Sequence, residues 1–118
     1  MLKDLNILIV EDEMLIALDL AMMVEDLGAN VVGPCRSVEA ATDFIGQIDA
    51  AILDVDLDGK TVFPLADDLR ARDIPFVFHT GRADVDQLSE RYGRNVPVVS
   101  KPASEDELAA PLRAMLDP

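Results

Sequence analysis

Apolar segments of about five residues alternate along the chain with longer segments in which apolar residues recur at helical spacing. The apolar segments are nearly uninterrupted, which is typical of strands buried on both faces of a parallel sheet. The predicted strands cover residues 5–10, 30–35, 49–53, 74–79 and 96–100. Proline removes a backbone donor from a strand, so Pro34 places the second strand at an edge or ends it there, and Pro97 within the fifth strand indicates the other edge of the sheet.

The amphipathic segments predict a helix after each strand. The predicted helices cover residues 13–27, 38 to about 47, 60–72 and 83–92, with a last helix from the cap at residue 104 to about residue 116. Ser104 and Glu107 have the spacing of a capping box, and Gly28 suits a left-handed helix end. Pro64 fits the third helix only in its first turn, and Pro111 is expected to bend the last helix.

Strands joined by helices pair in parallel through right-handed crossovers, so the pattern predicts an α/β fold arranged as a three-layer sandwich. Five strand–helix repeats are too few for a closed eight-stranded barrel. The 118 residues are expected to form one domain, 1–118, without an output domain. No repeat or linker composition suggests a boundary within it.

The charge of the chain limits its partners. Its 23 acidic residues outnumber its 10 basic residues, which gives a formal net charge of −13. Such a chain would repel a phosphate backbone or an anionic membrane surface, so neither nucleic acid nor membrane is an expected partner. The single cysteine, Cys35, excludes an internal disulfide. With no signal-peptide pattern at the N-terminus, these features predict a cytoplasmic protein.

Acidic residues stand where two of the predicted strands end. Glu11 and Asp12 follow the first strand, and Asp54 follows the third. In an open α/β sheet, ligands bind at the carboxyl ends of the strands. Three carboxylates that converged there would repel one another, and a hard divalent cation such as Mg²⁺ would relieve the repulsion. Solvated acids or helix caps are the alternative, which Glu13 illustrates in the first turn of the first helix.

Two further polar residues end predicted strands, Thr80 after the fourth and Lys101 after the fifth. A hydroxyl and an ammonium directed at one carboxylate suit a carboxylate that acquires a phosphoryl group. The ammonium would neutralise charge and the hydroxyl would donate a hydrogen bond to a phosphoryl oxygen. The sequence thus indicates phosphoryl chemistry at Asp54.

This set of residues, Glu11-Asp12, Asp54, Thr80 and Lys101-Pro102, resembles that of the response regulator receiver domains (CheY-like), and the resemblance covers the whole chain. It implies a five-stranded parallel sheet of order 2-1-3-4-5. It also implies a phosphorelay function. Asp54 would accept a phosphoryl group from a histidine kinase or a histidine phosphotransfer protein, and the phosphorylated domain would signal by binding an unknown downstream protein.

The resemblance also implies a role for each site residue. Asp12 and Asp54 would ligate Mg²⁺ together with the backbone carbonyl of Asp56, and Glu11 would act mostly through water. Thr80 and Lys101 would hold the phosphoryl oxygens. The peptide bond between Lys101 and Pro102 is expected to be cis, which would direct the lysine inward.

The sequence departs from the receiver pattern at several positions. Receivers usually carry an aromatic switch residue three positions before the lysine, where this chain has Val98. A switch must therefore depend on Thr80 and on the loop and helix that follow it. The run from Phe78 to Gly81 resembles the FATGUY subgroup, with His79 in place of its alanine. Asp58 stands where receivers more often have proline.

Two residues beside the site have no assigned chemistry. His79, the single histidine, precedes Thr80, and we expect it to be a modulator or a neutral packing residue rather than a catalytic group. Arg82 follows Thr80 by two residues. It either tunes dephosphorylation by screening or admitting water, or it is an ordinary solvated arginine, and the sequence leaves both open.

The first predicted helix has apolar residues on two sides. One side, with Ile16, Leu20, Met23, Val24 and Leu27, should pack on the sheet. On the opposite side the apolar residues are Met14, Leu15, Leu18 and Met22. Exposed apolar patches often mark interaction sites, so we expect this outer side to dock a kinase or phosphotransfer helix, or a second copy of the chain as a homodimer.

Two other functions fit parts of the sequence. Residues 56–61 resemble the aspartate-nucleophile motif of haloacid-dehalogenase-type phosphatases, which would make Asp56 the nucleophile and Asp58 the acid. That motif does not follow the first strand, and it leaves Glu11 and Asp12 unexplained. The other alternative is a phosphorylation-independent pseudo-receiver that acts as a docking module, against which the intact Thr80 and Lys101 argue. We therefore expect a phosphorylatable receiver that is not an enzyme with an external substrate.

Overall fold

The computed structural model describes residues 2–81, 85–93 and 96–116. Five strands form one parallel sheet. They are β1 (Asn6–Val10), β2 (Asn30–Cys35), β3 (Ala50–Leu53), β4 (Phe76–Thr80) and β5 (Val98–Ser100). Their spatial order, β2-β1-β3-β4-β5, is the expected 2-1-3-4-5 order. The strand of Pro34 and the last strand are the two edge strands, as predicted, but Pro97 precedes β5 rather than lying within it.

Alternate residues of the strands pack into two separate cores, which is why the strands are apolar throughout. In β1, Leu8 and Val10 belong to one core, while Ile7 and Ile9 belong to the other. Helices cover both faces of the sheet. They are α1 (Met14–Asp26), α2 (Val38–Thr42), α3 (Phe63–Ala71), α4 (Val85–Tyr92) and α5 (Glu105–Leu116). Buried residues of α1 and α5 fill one core and those of α2, α3 and α4 fill the other, which confirms the three-layer sandwich.

The third helix begins later than predicted, because residues 56–61 form a separate antiparallel hairpin. Asp56–Leu57 pairs with Lys60–Thr61, and α3 begins only at Phe63. Asp58 and Gly59 both have positive φ, 54° and 82°, as the two central residues of a type I′ turn require. Proline, whose φ is held near −65°, could not replace Asp58 in this turn. Pro64 lies in the first turn of α3, where it is tolerated.

Other helix boundaries also differ from the prediction. α2 ends at Thr42, and a separate 3₁₀ turn, Ile45–Gln47, follows it. α1 begins at Met14, so Glu13 is its N-cap residue rather than part of its first turn. α4 is described from Val85 onward, and the start predicted at residue 83 lies outside the described residues.

The predicted start of α5 and the predicted end of α1 are confirmed. The Ser104 hydroxyl accepts a hydrogen bond from the Glu107 amide, and the Glu107 carboxylate accepts one from the Ser104 amide, which completes the capping box. Gly28 follows α1 with a φ of 88°. Within the described ranges, no helix combines the length and the apolar character needed to cross a bilayer.

Candidate functional site

The register of the parallel strands brings the predicted site residues to one edge of the sheet. Val10 is level with Leu53, so the acids that follow β1 and β3 lie side by side. The Asp54 amide donates a hydrogen bond to the Val10 carbonyl over 2.9 Å. On the far side of β4, the Lys101 amide donates to the Thr80 carbonyl over 2.9 Å. Residues that are distant in sequence therefore meet at the carboxyl ends of the strands.

Lys101 joins two of the acids. Its Nζ lies 3.2 Å from Asp54 Oδ2 and 3.2 Å from Glu11 Oε2. The side chains of Glu11 and Asp54 are almost fully buried, whereas that of Lys101 is one-fifth exposed. The peptide bond from Lys101 to Pro102 is cis, as expected, and Pro102 itself is exposed. The ammonium thus lies between the carboxylates that follow β1 and β3.

The three acids are close enough to share one cation. Glu11, Asp12 and Asp54 each offer an oxygen, and these oxygens all lie within 4.8 Å of one another. Glu11 and Asp54 both contact the Lys101 ammonium, and Asp12 adds a third acidic group beside them. Carboxylate oxygens are the ligands that hard cations such as Mg²⁺ prefer, so the donor set fits a divalent ion.

Burial changes the acidity of the metal-free pocket. It raises the pKa of Glu11 to about 7, and the nearby Asp54 carboxylate adds to the increase. Burial also raises the pKa of Asp54, although Lys101 opposes the shift. For Lys101, burial alone would lower the pKa, but Asp54 and Glu11 together raise it. The ammonium therefore stays charged, while both carboxyl groups hold their protons to a higher pH than they would in water.

The remaining predicted site residues differ in their surroundings. Thr80 is buried at the end of β4. The Asp56 side chain is exposed and accepts a hydrogen bond from the Gly59 amide, so its carboxylate belongs to the turn rather than to the Lys101 cluster. Val98 pairs with Phe78 and is half-buried against the core. Arg82 lies outside the described residues.

One contact to the acidic cluster was not predicted. The Asp58 amide donates a 3.0 Å hydrogen bond to Asp12 Oδ2 and so orients that carboxylate. Asp58 is the first central residue of the hairpin turn, so the turn places this amide beside Asp12. The Asp58-Gly59 dipeptide was a turn signal in the sequence, but the partner of its amide, 46 residues away, was not.

His79 is buried beside the site. In β4 it lies two residues after Val77 and therefore on the same face of the sheet, the face that α1 covers. A cavity of about 250 Å³ there is lined by Ile16, Asp19, Leu20, His79, Lys101, Pro102 and Ala103. Neither ring nitrogen has a hydrogen-bond partner among the residues that the structure describes. Burial and, to a smaller extent, the Lys101 charge together lower the pKa of His79 to about 4, against a smaller opposing effect of Asp19.

Replacing His79 with leucine should remove an acid-sensitive contribution to stability. Below its ordinary pKa of 6.5, the histidine of the unfolded chain binds a proton, whereas the buried imidazole stays neutral down to about pH 4. The free energy of unfolding should therefore fall as the pH falls, by about 2 kcal/mol at pH 5 relative to pH 7.5. Urea unfolding at both pH values should show this additional loss in the native chain and not in His79→Leu. Parallel pH profiles would mean that His79 is protonated in the fold.

The outer side of α1 is exposed as predicted. Met14, Leu15, Leu18 and Met22 are 65%, 83%, 51% and 64% exposed, while Leu20 and Val24 on the inner side are buried. A groove of about 190 Å³ connects this apolar patch to the acidic cluster. It is lined by Glu11, Met14, Ala17, Leu18, Pro34 and Arg36. The groove thus reaches from Met14 and Leu18 of the patch to Glu11 of the site.

Comparison with known proteins agrees with this arrangement, although no protein-family model and no curated protein sequence matches the chain. The chain is similar to SdrG from Sphingomonas melonis Fr1, with 46% identity, a TM-score of 0.82, and coverage of 96% of this chain and 97% of that one. It is also similar to SdrG from Pseudomonas melonis Fr1 in the BeF3-activated conformation, with 45% identity, a TM-score of 0.78, and coverage of 98% and 99%.

The receiver domain of the PhyR response regulator from Erythrobacter litoralis has the same fold, with 24% identity, a TM-score of 0.84, and coverage of 97% of this chain and 91% of that domain. The strand order, the buried acidic pocket with its lysine, and the similarity to SdrG along nearly the whole chain lead to one conclusion. The chain belongs to the response regulator receiver domains, the receiver modules of two-component signalling.

Proposed function

We propose that this receiver is phosphorylated on Asp54 by the phosphohistidine of a histidine kinase or of a histidine phosphotransfer protein. The observation that carries the proposal is the 3.2 Å approach of the Lys101 ammonium to Asp54 Oδ2 inside the acidic pocket. An Asp54 oxygen attacks the phosphorus, and the phosphorus–oxygen bond forms as the phosphorus–nitrogen bond breaks. The departing electron pair returns to the imidazole nitrogen, which takes up a proton. The product is an acyl phosphate on Asp54.

Mg²⁺ is the proposed cofactor of this transfer. Asp12, Asp54 and the backbone carbonyl of Asp56 would hold it, with Glu11 acting mostly through water. When bound, Mg²⁺ supplies positive charge against the oxygens of the transferring phosphoryl group. Asp58 supports the site by fixing the Asp12 carboxylate through its amide. Glu11 also keeps Lys101 in place through their ion pair.

Thr80 and Lys101 are proposed to bind the phosphoryl oxygens after transfer. Lys101 neutralises their charge, and the Thr80 hydroxyl donates a hydrogen bond to one of them. Pro102, Val98 and Arg82 are proposed to modulate the site: Pro102 through the direction of the lysine, Val98 by leaving the switch to Thr80 and α4, and Arg82 through the access of water. Membership of the FATGUY subgroup and a cytoplasmic location stay predictions.

The direct test is covalent labelling of Asp54. The chain is incubated with a small phosphodonor, such as acetyl phosphate, with and without Mg²⁺, and its intact mass is measured. The proposal expects the mass to rise by one phosphoryl group when Mg²⁺ is present. The same experiment tests the pseudo-receiver alternative, because a pseudo-receiver would not be labelled. A phosphatase would instead be recognised by its continuous turnover of a phosphomonoester.

The two phosphatase residues fit the dehalogenase mechanism poorly. Its nucleophile would be Asp56, whose side chain is exposed and bonded within the hairpin, whereas the buried carboxylate beside Lys101 is that of Asp54. The acid would be Asp58, which is exposed and contacts the cluster through its amide. We therefore retain the receiver mechanism, in which the chain promotes only its own phosphorylation and dephosphorylation.

The exposed patch of α1, Leu15, Leu18 and Met22 with Met14, is proposed to dock the phosphodonor protein. A helix of the kinase or phosphotransfer protein would cover these apolar side chains, and the groove beside them reaches Glu11, a neighbour of Asp54 in the acidic cluster. The downstream protein would instead recognise the surface formed by α4, β5 and α5. The domain would then engage its two partners through different faces.

Replacing Leu18 and Met22 together with glutamate should slow transfer from the cognate phosphodonor about tenfold or more, because two apolar contacts of the interface are lost. Labelling by acetyl phosphate should not change, since the patch lies outside the acidic cluster. The matched control replaces Ala110 and Ala114, two exposed residues of α5, with glutamate. Equal transfer rates for both double variants and the native chain would exclude the patch as a docking site. If native mass in solution falls to that of a monomer only in Leu18→Glu/Met22→Glu, the patch binds a second copy.

A further inference from the structure

The single tyrosine of the chain, Tyr92, lies at the C-terminal end of α4 with its ring buried. The ring packs among three phenylalanines of α3 and β4. Its centroid lies 5.9 Å from that of Phe63, 6.0 Å from that of Phe76 and 5.2 Å from that of Phe78. Tilted and edge-on contacts at these separations are favourable for aromatic rings. Tyr92 therefore connects α4 both to α3 and to the strand that ends at Thr80.

Polar contacts hold the same end of α4 on α3. The Tyr92 hydroxyl donates a 2.8 Å hydrogen bond to Asp67 Oδ1. Arg91 donates from Nη2 to Asp67 Oδ2 over 3.0 Å. It also donates from Nε to the Tyr92 hydroxyl oxygen over 3.2 Å. The Arg91 guanidinium also lies 4.4 Å above the Phe63 ring. We call Asp67, Arg91 and Tyr92 the α3–α4 latch.

The rest of α4 is weakly held. All eight of its residues are described, and its buried side chains are Leu88 and Tyr92. An element with few buried contacts opens more easily than the elements of the core. The position of α4 should therefore depend strongly on the latch, since Leu88 is the other buried anchor.

The latch is also connected to the candidate phosphorylation site. Phe78, whose ring contacts Tyr92, is two residues before Thr80 in β4. Val98, level with Phe78 on the edge strand, is an aliphatic side chain that cannot swing as an aromatic ring can. A displacement of the end of β4 would therefore reach α4 through the contact between Phe78 and Tyr92.

We propose that the α3–α4 latch holds α4 against α3 in the unphosphorylated protein, and that phosphorylation of Asp54 opens it. This inference rests on the proposed function. When Thr80 binds a phosphoryl oxygen, the end of β4 shifts, and Tyr92 leaves both Asp67 and the aromatic pocket. The surface of α4 that a downstream protein reads then differs between the two states.

The latch should oppose phosphorylation, because its contacts exist only in the closed state. Coupling between two sites is reciprocal, so weakening the latch must strengthen the binding of a phosphoryl mimic at Asp54. Tyr92→Phe keeps the ring and removes the hydroxyl, while Asp67→Ala removes the shared acceptor. Either change should tighten the binding of beryllofluoride, measured by calorimetry in excess Mg²⁺, about three- to tenfold.

The single tyrosine allows a specific spectroscopic test. Fluorotyrosine incorporated into the full chain gives one fluorine resonance, which reports the surroundings of Tyr92. Beryllofluoride with Mg²⁺ should move this resonance toward the position of a solvent-exposed ring, and Asp67→Ala should move it part of the way without beryllofluoride. The matched control is Asp68→Ala, which removes an exposed ion pair with Arg72 on the same helix and should leave the resonance unchanged.

A second measurement tests the latch without any phosphoryl group. Amide hydrogen exchange in α4 should be faster in Tyr92→Phe and Asp67→Ala than in the native chain and in Asp68→Ala. Equal exchange in all four proteins would overturn the latch itself. A fluorine resonance that stays fixed while Asp54 is labelled would overturn its opening by phosphorylation. Absence of labelling at Asp54 would instead overturn the proposed function and the opening with it, while the exchange data still decide whether the latch exists.

Discussion

Asp54→Asn should abolish phosphorylation. The amide that replaces the carboxylate keeps its shape but is a poor nucleophile, and it removes one of the three acids that offer oxygens to a cation. Intact mass after incubation with acetyl phosphate and Mg²⁺ should show one added phosphoryl group on the native chain and none on the variant. The expected effect is a complete loss of labelling, since the oxygen that bonds to phosphorus comes from the Asp54 carboxylate itself.

Asp56→Asn is the matched control for this experiment. It makes the same change two residues away and retains the Asp56 backbone carbonyl that is proposed to ligate Mg²⁺. Its exposed side chain can still accept the Gly59 amide hydrogen bond, so the hairpin should persist. Labelling should survive in this variant. If Asp56→Asn abolished labelling and Asp54→Asn did not, the receiver mechanism would be wrong and the dehalogenase mechanism would be supported.

Lys101→Met should destabilise the metal-free protein by about 3 kcal/mol, because it leaves two buried carboxyl groups without their counter-charge. The Lys101 ammonium lies 3.2 Å from oxygens of both Glu11 and Asp54, and methionine has a stem of similar length without the charge. Added Mg²⁺ should restore part of the loss, since it supplies positive charge to the same carboxylates. The free energy of unfolding in urea, measured with and without Mg²⁺, gives both quantities.

Lys60→Met is the control for a lysine outside the site. Lys60 pairs with Glu39 over 3.8 Å, and both side chains are mostly exposed. Losing such a surface pair should cost no more than about 0.5 kcal/mol. Mg²⁺ should stabilise Lys60→Met as much as it stabilises the native chain, and Lys101→Met more. Similar losses for the two variants would show that Lys101 does not compensate the buried acids.

The architecture could be predicted because it depends on local patterns. Two-sided burial makes β1 and β3 apolar throughout, and this run of residues is visible without any tertiary information. Pro34 and Pro97 located the edges of the sheet because a missing amide donor is costly anywhere else. The ends of the strands located the acids, since the carboxyl ends of parallel strands share one edge.

Some boundaries were wrong because a local pattern has more than one solution. Residues 60–62 continue the helical pattern of α3, yet Asp58 and Gly59 can both adopt positive φ, and a hairpin of residues 56–61 satisfies the backbone instead. The same turn determines that Asp56 contributes its side chain to the hairpin. Leu57 of the hairpin is buried, and this packing favours the hairpin over an earlier start of α3. The turn residues alone do not decide between the two structures.

By itself, the sequence determined the fold class, the strand-end acids, Thr80 and Lys101, and the apolar outer side of α1, because periodicity and strand ends are properties of neighbouring residues. The tertiary structure alone decided which distant groups meet: the Asp58 amide with Asp12, His79 with the cavity beside Lys101, and Tyr92 with Asp67. These pairs are set by how helices and loops pack on the sheet. The identity of a side chain does not indicate which distant residue will pack against it.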